Sequence, residues 1–410
     1  MDNNTIPKTP VLLLTGYLGS GKTTLLNRIL SNKKGIKFAV IVNDLGEVNI
    51  DADLIQQGGV VGQSDDSLVA LQNGCICCTL KMDLVQQVSD IIGMKRFDYI
   101  VIEASGICEP APIAQTLCAM PQMAPQITQN GVPDLDCVVT VVDALRMRDE
   151  FGNGDDLMRN NIGEEDIENL VIQQIEFCNI VLLNKADEVS PEELGRLRGI
   201  VRALQPKAEI IPCNYGDVDL DKIIHTRLFD FDQVATSATW ISEVEAAHDD
   251  DDHDDEHHDD EHHDDDDHHD EHHGHHHHHH HHDEGEAEEY GIGTYVYYCR
   301  RPFDLADFDE FVATKWPKNI IRAKGICYFD EEFDTCYLFE QAGKQVSLRN
   351  AGQWYATMPD NQLIELMKQE PTLARDWDEV YGDRMQKLVF IGQNLDKDYI
   401  KSCLDHCLRK

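Results

Sequence analysis

The first half of the chain alternates short, wholly apolar runs with longer stretches whose apolar residues recur every three to four positions. Residues 10–15 (Pro-Val-Leu-Leu-Leu-Thr) are apolar almost without interruption. Such a short run predicts a strand buried on both faces. Similar runs predict strands at 37–43, 98–103, 137–143, 179–184 and 209–212. Helical spacing predicts helices at 22–31, 165–177 and 191–204. Pro191 directly after Ser190 suits a capping residue followed by a first-turn proline. Strands that alternate with helices imply a mostly parallel sheet with helices on both faces.

This pattern ends near Trp240, and residues 248–289 are almost entirely Asp, Glu and His. A segment of that composition has too little apolar surface to offset its chain entropy and is expected to be disordered. A second patterned region starts at Tyr290. Alternation predicts a strand over 293–300, and apolar residues Leu305, Phe308 and Phe311 predict a helix over 304–314. Strands are predicted at 320–328, 335–341 and 387–392, and a last helix at 398–408. The expected division is therefore 1–240 as one α/β domain, 241–289 as a linker and 290–410 as a compact α+β domain.

The net charge of −41 alters this picture less than it suggests, because 21 of the acidic residues fall within 249–289, which has no Lys or Arg. Neither part has the basic stripe of a nucleic-acid or anionic-membrane binder. No apolar run approaches the roughly 18 residues of a membrane span. The polar N-terminus runs straight into a strand, so no signal peptide is expected. Thirteen cysteines, an odd number and mostly scattered, argue against a disulfide framework and for a reducing cytoplasm. Cys108, Cys118, Cys137, Cys178, Cys213, Cys299, Cys327 and Cys336 are expected to be isolated core or strand residues.

Several motifs carry chemistry. Gly16, Gly19, Ser20, Gly21, Lys22 and Thr23 fit G-x-x-x-x-G-K-[ST], with a strand before and a helix that continues through Thr24. Backbone N–H groups of such a loop curl around phosphate oxygens, Lys22 supplies a point charge, and the Thr23 hydroxyl can ligate Mg²⁺. Asn184-Lys185-Ala186-Asp187 closes a predicted strand. In P-loop GTPases an Asn-Lys-x-Asp motif reads guanine: the carboxylate accepts from the ring N–H and the exocyclic amine, so Asp187 would select GTP. Glu103-Ala104-Ser105-Gly106 closes another strand and suits a γ-phosphate sensor, with the acid near Mg²⁺ and the Gly106 N–H near phosphate. Asp44 and Glu47 fall where a switch segment belongs. Either could ligate Mg²⁺, orient the attacking water, complete a metal site or simply face solvent.

Between these motifs lies Gly74-Cys75-Ile76-Cys77-Cys78. Thiolates favour soft or borderline metals such as zinc, and three of them leave one tetrahedral position for Glu47, water or a partner's ligand. The tract 248–282 holds 18 histidines, among them His257, His258, His262, His263 and the run that begins His275, His276, His277, His278. Imidazoles are good but labile ligands for zinc and its neighbours. Cys403 and Cys407 stand one helical turn apart and are expected to be part of a packed helix face.

Together these residues resemble the CobW-type family of P-loop GTPases, within it the zinc metallochaperone branch of bacterial zinc-starvation proteins. The carriers are residues 15–24, 42–52 (Val-Asn-Asp-Leu-Gly-Glu-Val-Asn-Ile-Asp-Ala), 73–79, 103–106 and 184–187. The resemblance implies a P-loop NTPase parallel sheet plus a smaller C-terminal α+β domain of the CobW type. It implies slow intrinsic hydrolysis of GTP to GDP, with Mg²⁺. It further implies Zn²⁺ bound through Cys75, Cys77 and Cys78 and delivered to a client metalloenzyme. Some relatives serve cobalt, iron or nickel. In some, an acidic metal ligand stands two positions before Asp44, where this chain has Val42. A metal-buffering protein with a vestigial nucleotide site and a GTPase with a cysteine redox sensor are the alternatives; monomer and dimer stay equally open.

Overall fold

The computed structural model describes residues 6–42, 81–151, 167–231, 290–343, 345–369, 373 and 377–409. The N-terminal part runs β1 (Lys8–Thr15), α1 (Lys22–Leu30), β2 (Phe38–Val42), α2 (Lys81–Gly93), β3 (Tyr99–Glu103), α3 (Pro110–Ala119) and α4 (Pro125–Thr128). It continues with β4 (Val132–Asp143), α5 (Ala144–Phe151), α6 (Ile167–Glu176), β5 (Ile180–Asn184), α7 (Pro191–Leu204) and β6 (Glu209–Pro212). The six strands form one sheet in the order β2-β3-β1-β4-β5-β6, and every pairing is parallel.

Strand β1 is central, and Val11 to Leu14 are fully buried. Successive side chains of a strand point to opposite faces. Val11 and Leu13 accordingly join one apolar cluster with residues of α2, α3, α6 and α7, while Leu12 and Leu14 join a second with Leu25, Leu26 and Ile29 of α1. This two-sided burial is what the uninterrupted apolar run predicts. Register then sets Leu14 beside Glu103 and Thr15 beside Thr140, so β1 and β3 end together while β4 runs on to Asp143. The predicted cap of α7 is present as a reciprocal pair: Glu193 N–H donates to Ser190 Oγ and Ser190 N–H to Glu193 Oε2.

Strand β4 starts five residues earlier than predicted. Its first half, which mixes Val132, Pro133 and Leu135 with Asp134 and Asp136, pairs with Lys8 to Val11 before a register shift between Val11 and Leu12. Pairing with β1, not an apolar run, extends it. Helix α2, which the sequence reading does not identify, buries Leu84, Val85, Val88, Ile91 and Ile92.

The C-terminal part runs β7 (Ile292–Cys299), α8 (Leu305–Glu310), β8 (Ile320–Cys327), β9 (Thr335–Ala342), β10 (Gln345–Gln353), α9 (Asp360–Gln369), β11 (Gln386–Gln393) and α10 (Lys397–His406). Its sheet is antiparallel, in the order β10-β9-β8-β11-β7. One face packs Phe339 and Phe390 against Phe303, Phe308, Phe311, Ile400 and Leu404. Cys403 and Cys407 belong to this packing, as expected for one helix face. The other face contributes Ile292, Ala342 and Ile391 to the apolar cluster of α6 and α7. Strand β10 is exposed along its length, and only Val346 and Leu348 alternate with polar neighbours before Asn350, Ala351 and Gly352 break the pattern. Among the described residues no helix is long and apolar enough to cross a membrane.

Where the two parts meet, Glu340 faces Arg322, Lys324 and Arg349. Burial alone would raise the Glu340 carboxyl pKa, but Lys324, Arg322 and Arg349 outweigh it and hold the group below its ordinary value. A carboxyl whose pKa is lowered on folding stabilises the protein above the unfolded pKa, and that contribution is lost as pH falls through the folded value. The expected outcome is an acid limb of the stability–pH curve, below about pH 4.5, that flattens in Glu340→Gln; chemical denaturation at a series of pH values measures it.

Candidate nucleotide site

The loop between β1 and α1 is built from backbone conformations that side chains resist. Gly16, Gly19 and Gly21 have φ of 134°, 79° and 105°. A Cβ on Gly16 would lie 2.2 Å from Val141 O, and one on Gly21 would lie 2.3 Å from Asn184 Nδ2. Glycine is thus required both for chain direction and for close approach. The buried Ser20 Oγ has no hydrogen-bond partner among the described residues. A buried hydroxyl so left suits a loop that wraps an anion.

Lys22 is buried and donates to Tyr17 O at 3.3 Å, folding its ammonium over its own loop. Thr23 Oγ1 donates to Glu103 Oε1 at 3.4 Å, which joins the first turn of α1 to the end of β3. Hydroxyl and carboxylate oxygens are the hard donors Mg²⁺ prefers, so Thr23 and Glu103 fit that ion as a pair. Gly106 follows on the same side of the sheet. A Cβ there would lie 2.7 Å from Leu18 N, so the loop after β3 touches the phosphate loop directly. Arg146, at the start of α5, lies over the Tyr17 ring at 4.4 Å.

The predicted base-reading motif joins this group from β5. Asn184 is buried; its Nδ2 donates to Ser20 O at 2.8 Å, and its Oδ1 accepts from Gly216 N–H at 3.0 Å. Lys185, in the left-handed region at φ 58°, pairs with Asp143 at the end of β4. Asp187 donates its N–H to Asn214 Oδ1 at 3.0 Å, and the residue stands exposed. Thr24 is exposed on α1. Of the predicted site residues, Gly16, Gly19, Ser20, Gly21, Lys22, Thr23, Glu103, Gly106, Asn184, Lys185 and Asp187 therefore gather at one end of the sheet.

Asp44, Glu47, Cys75, Cys77, Cys78 and the histidines from His257 to His278 lie outside the described residues. Among the described residues no group of three or more His, Cys, Asp or Glu is placed to hold a metal ion.

Sequence reasoning missed Gln174, whose Nε2 donates to Gly106 O and Cys108 O at 3.2 Å each. The missed signal is an amide standing between buried Ile172 and Ile175. The expectation that Cys108 is an isolated core cysteine is corrected. It lies in the turn beyond Gly106 rather than in a strand or helix, and it alone of the described cysteines is not a free thiol, its sulfur being disulfide-bonded. Burial pushes the Cys213 thiol up to about 11 and the Cys178 thiol up to about 12, so both are protonated at neutral pH.

Residues 10–212 match the family model described as the CobW/HypB/UreG nucleotide-binding domain, and residues 292–408 match the cobalamin synthesis protein CobW C-terminal domain. A zinc-regulated GTPase metalloprotein activator of Dictyostelium discoideum is 32% identical over 98% of this chain and 80% of its own length. The chain belongs to the CobW family of P-loop GTPases. A zinc chaperone CobW of Pseudomonas aeruginosa is 30% identical over 54% of this chain and 60% of that one. A crystal structure of the Zn(II)-bound YjiA GTPase from E. coli covers 98% of this chain and 99% of its own, at 21% identity and a TM-score of 0.38.

The contact between Gly106 and the phosphate loop gives a direct test. In Gly106→Ala the added methyl must displace Leu18 or its own loop. The affinity for a non-hydrolysable GTP analogue should fall by about tenfold or more, equivalent to about 1.4 kcal/mol, with a smaller loss for GDP. Titration with fluorescent nucleotides measures both.

Proposed function

We propose that this CobW-family GTPase is a zinc metallochaperone that couples hydrolysis of GTP to transfer of zinc to a client metalloprotein. One observation carries the nucleotide half: three loops from β1, β3 and β5 meet so that Thr23 bonds Glu103 and Asn184 bonds Ser20. The metal half rests on Cys75-Ile76-Cys77-Cys78 between those loops in the chain, and on relatives named as zinc-regulated or zinc chaperones. Domains over 1–240 and 290–410, joined by a histidine- and acid-rich linker, belong to this reading.

In this reading Gly16 to Thr23 cradle the triphosphate, with Lys22 on its outer phosphates. Asn184 braces the phosphate loop, and Asp187 reads guanine. Thr23 and Glu103, with Asp44 or Glu47, would hold Mg²⁺ and its water shell. The ion neutralises charge on the β- and γ-phosphates when bound. Gly106 supplies a backbone N–H to the γ-phosphate. Water then bonds the γ-phosphorus as the bond to the bridging oxygen breaks, leaving GDP and phosphate.

Zinc is the cargo. Cys75, Cys77 and Cys78 supply three thiolates, and Cys108 supplies the fourth. Cys108 is buried directly behind the sensor loop, and its sulfur is already engaged. Two-electron reduction of that disulfide by a cellular thiol would release the Cys108 thiolate, and only then could it take the fourth position on zinc. The histidines of 248–282 gather the ion weakly and pass it on. A metal buffer whose affinity responds to GTP, or a chaperone for cobalt, iron or nickel, is the rival reading.

Two measurements separate them. Lys22→Ala should lower GTP turnover by about 10²-fold or more; turnover equal to wild type would favour the buffer. Deletion of 248–282 should leave about one tightly bound zinc per chain. That ion should be lost in Cys75→Ser and weakened in Cys108→Ser, as read by metal analysis after dialysis against a chelator. Loss of all tight zinc on deletion alone would contradict the cysteine assignment.

A further inference from the structure

Helix α6 touches both the loop beyond β3 and the C-terminal sheet, through Gln174 and Glu176, two positions apart. Gln174 is 1% exposed, and its side chain bonds Gly106 O and Cys108 O. A buried amide is costly unless bonded, so these two bonds fix the carbonyls on either side of Ile107. The main chain of Gln174 is held as well. Thr140 Oγ1 donates to Gln174 O at 2.8 Å, which leaves Thr15 to donate to Thr140 across 2.9 Å. Thr15 is the residue before Gly16. One residue thus joins the root of the phosphate loop to the sensor loop.

Glu176 ends the same helix. Its carboxylate takes two bonds from Arg322 of β8, Nε at 2.9 Å and Nη2 at 3.1 Å. Arg322 is 1% exposed and also donates to Gln341 O and Glu340 Oε1, both at 3.4 Å. A bidentate guanidinium–carboxylate pair fixes orientation as well as distance. Ile292, Ala342 and Ile391 of the same sheet pack into the cluster that holds Ile172 and Ile175 of α6. The last turn of α6 is therefore clamped at both ends: by the nucleotide loops through Gln174 and by the C-terminal domain through Glu176.

We propose that Gln174, Glu176 and Arg322 are positioning residues for the nucleotide reaction, through which the C-terminal domain sets how the Gly106 loop meets the γ-phosphate. The inference rests on the GTP reading above. Arg322 touches no nucleotide in this scheme; it acts through Glu176, the last turn of α6 and Gln174. By linkage, GTP bound at the phosphate loop shifts the C-terminal domain by the same factor.

The test uses the full chain as wild type, Gln174→Leu, Arg322→Met and the double variant. Fluorescence titration with Mg²⁺ present gives the affinity ratio of a non-hydrolysable GTP analogue to GDP, steady-state assays give kcat and KM, and thermal melting confirms folding. Each single variant should shift the affinity ratio about fivefold or more and lower kcat more than it changes KM. The double variant should shift it no further than the larger single, because both break one link. A ratio and kcat at wild-type values in Arg322→Met, with only a lowered melting temperature, would overturn the proposal. So would multiplicative effects in the double variant. Should Arg322→Met fail to fold, Glu176→Gln combined with it removes the unpaired buried carboxylate and carries the same expectation. Wild type that binds neither nucleotide would sink the GTP reading itself, an outcome separate from equal discrimination by wild type and variants.

Discussion

A parallel sheet buried on both faces sends all its strand ends the same way, and everything at this site follows from that constraint. β1 lies between β3 and β4, and its register places Leu14 opposite Glu103 and Thr15 opposite Thr140. The residues around these positions are then forced together, although Thr23 and Glu103 are 80 positions apart in the chain. No long-range attraction between the motifs is needed. The apolar fill of Val11 to Leu14 aligns the strands, and alignment delivers the phosphate loop, the Glu103 carboxylate and the Asn184 brace to one edge. The chemistry is polar, but its geometry is set by apolar packing a few residues away.

The C-terminal domain is joined to this frame by a different interaction. Arg322 is the largest fully buried side chain among the described residues, and its charge is met by Glu176 and Glu340. A buried ion pair is weak evidence of added stability, because desolvation offsets most of the Coulomb gain. It is strong evidence of a specified arrangement, since removing one partner strands a charge in the interior. An apolar contact alone, such as Ile391 against α6 and α7, would tolerate sliding. The guanidinium fork does not. The two parts are therefore joined by a contact of fixed orientation, with the fork attached to the helix that also holds the Gly106 loop.

Much of this was legible in the sequence wherever one residue type has one physical use. The glycines at 16, 19 and 21 announced a loop with unusual backbone, and the apolar runs announced buried strands. The Ser190–Glu193 cap could be read from spacing alone. What was not legible has a common cause. Gln174, Thr140 and Asp143 are ordinary polar residues whose roles exist only after folding supplies Gly106, Thr15 and Lys185 as partners. Strand β10 offered too short a pattern, because on an exposed edge strand only Val346 and Leu348 alternate with polar residues. The first half of β4 was hidden for a related reason: pairing with β1 extends it through Pro133 and Asp134, which no local preference would favour.

The same logic distinguishes the two sets of ligands in the proposed zinc site. Eight consecutive imidazoles offer many chemically equivalent ligand sets, so in the proposed chaperone a metal bound there would exchange readily. Cys108 is different. It is buried, its N–H bonds Ser105 O, and its carbonyl is fixed by Gln174. A sulfur so anchored moves only when the Gly106 loop moves. In the proposed chaperone the tight site would then sense the γ-phosphate without any ligand touching nucleotide. Gln174, bonded to Gly106 and Cys108 at once, would be the atom-scale point where nucleotide state and metal affinity meet.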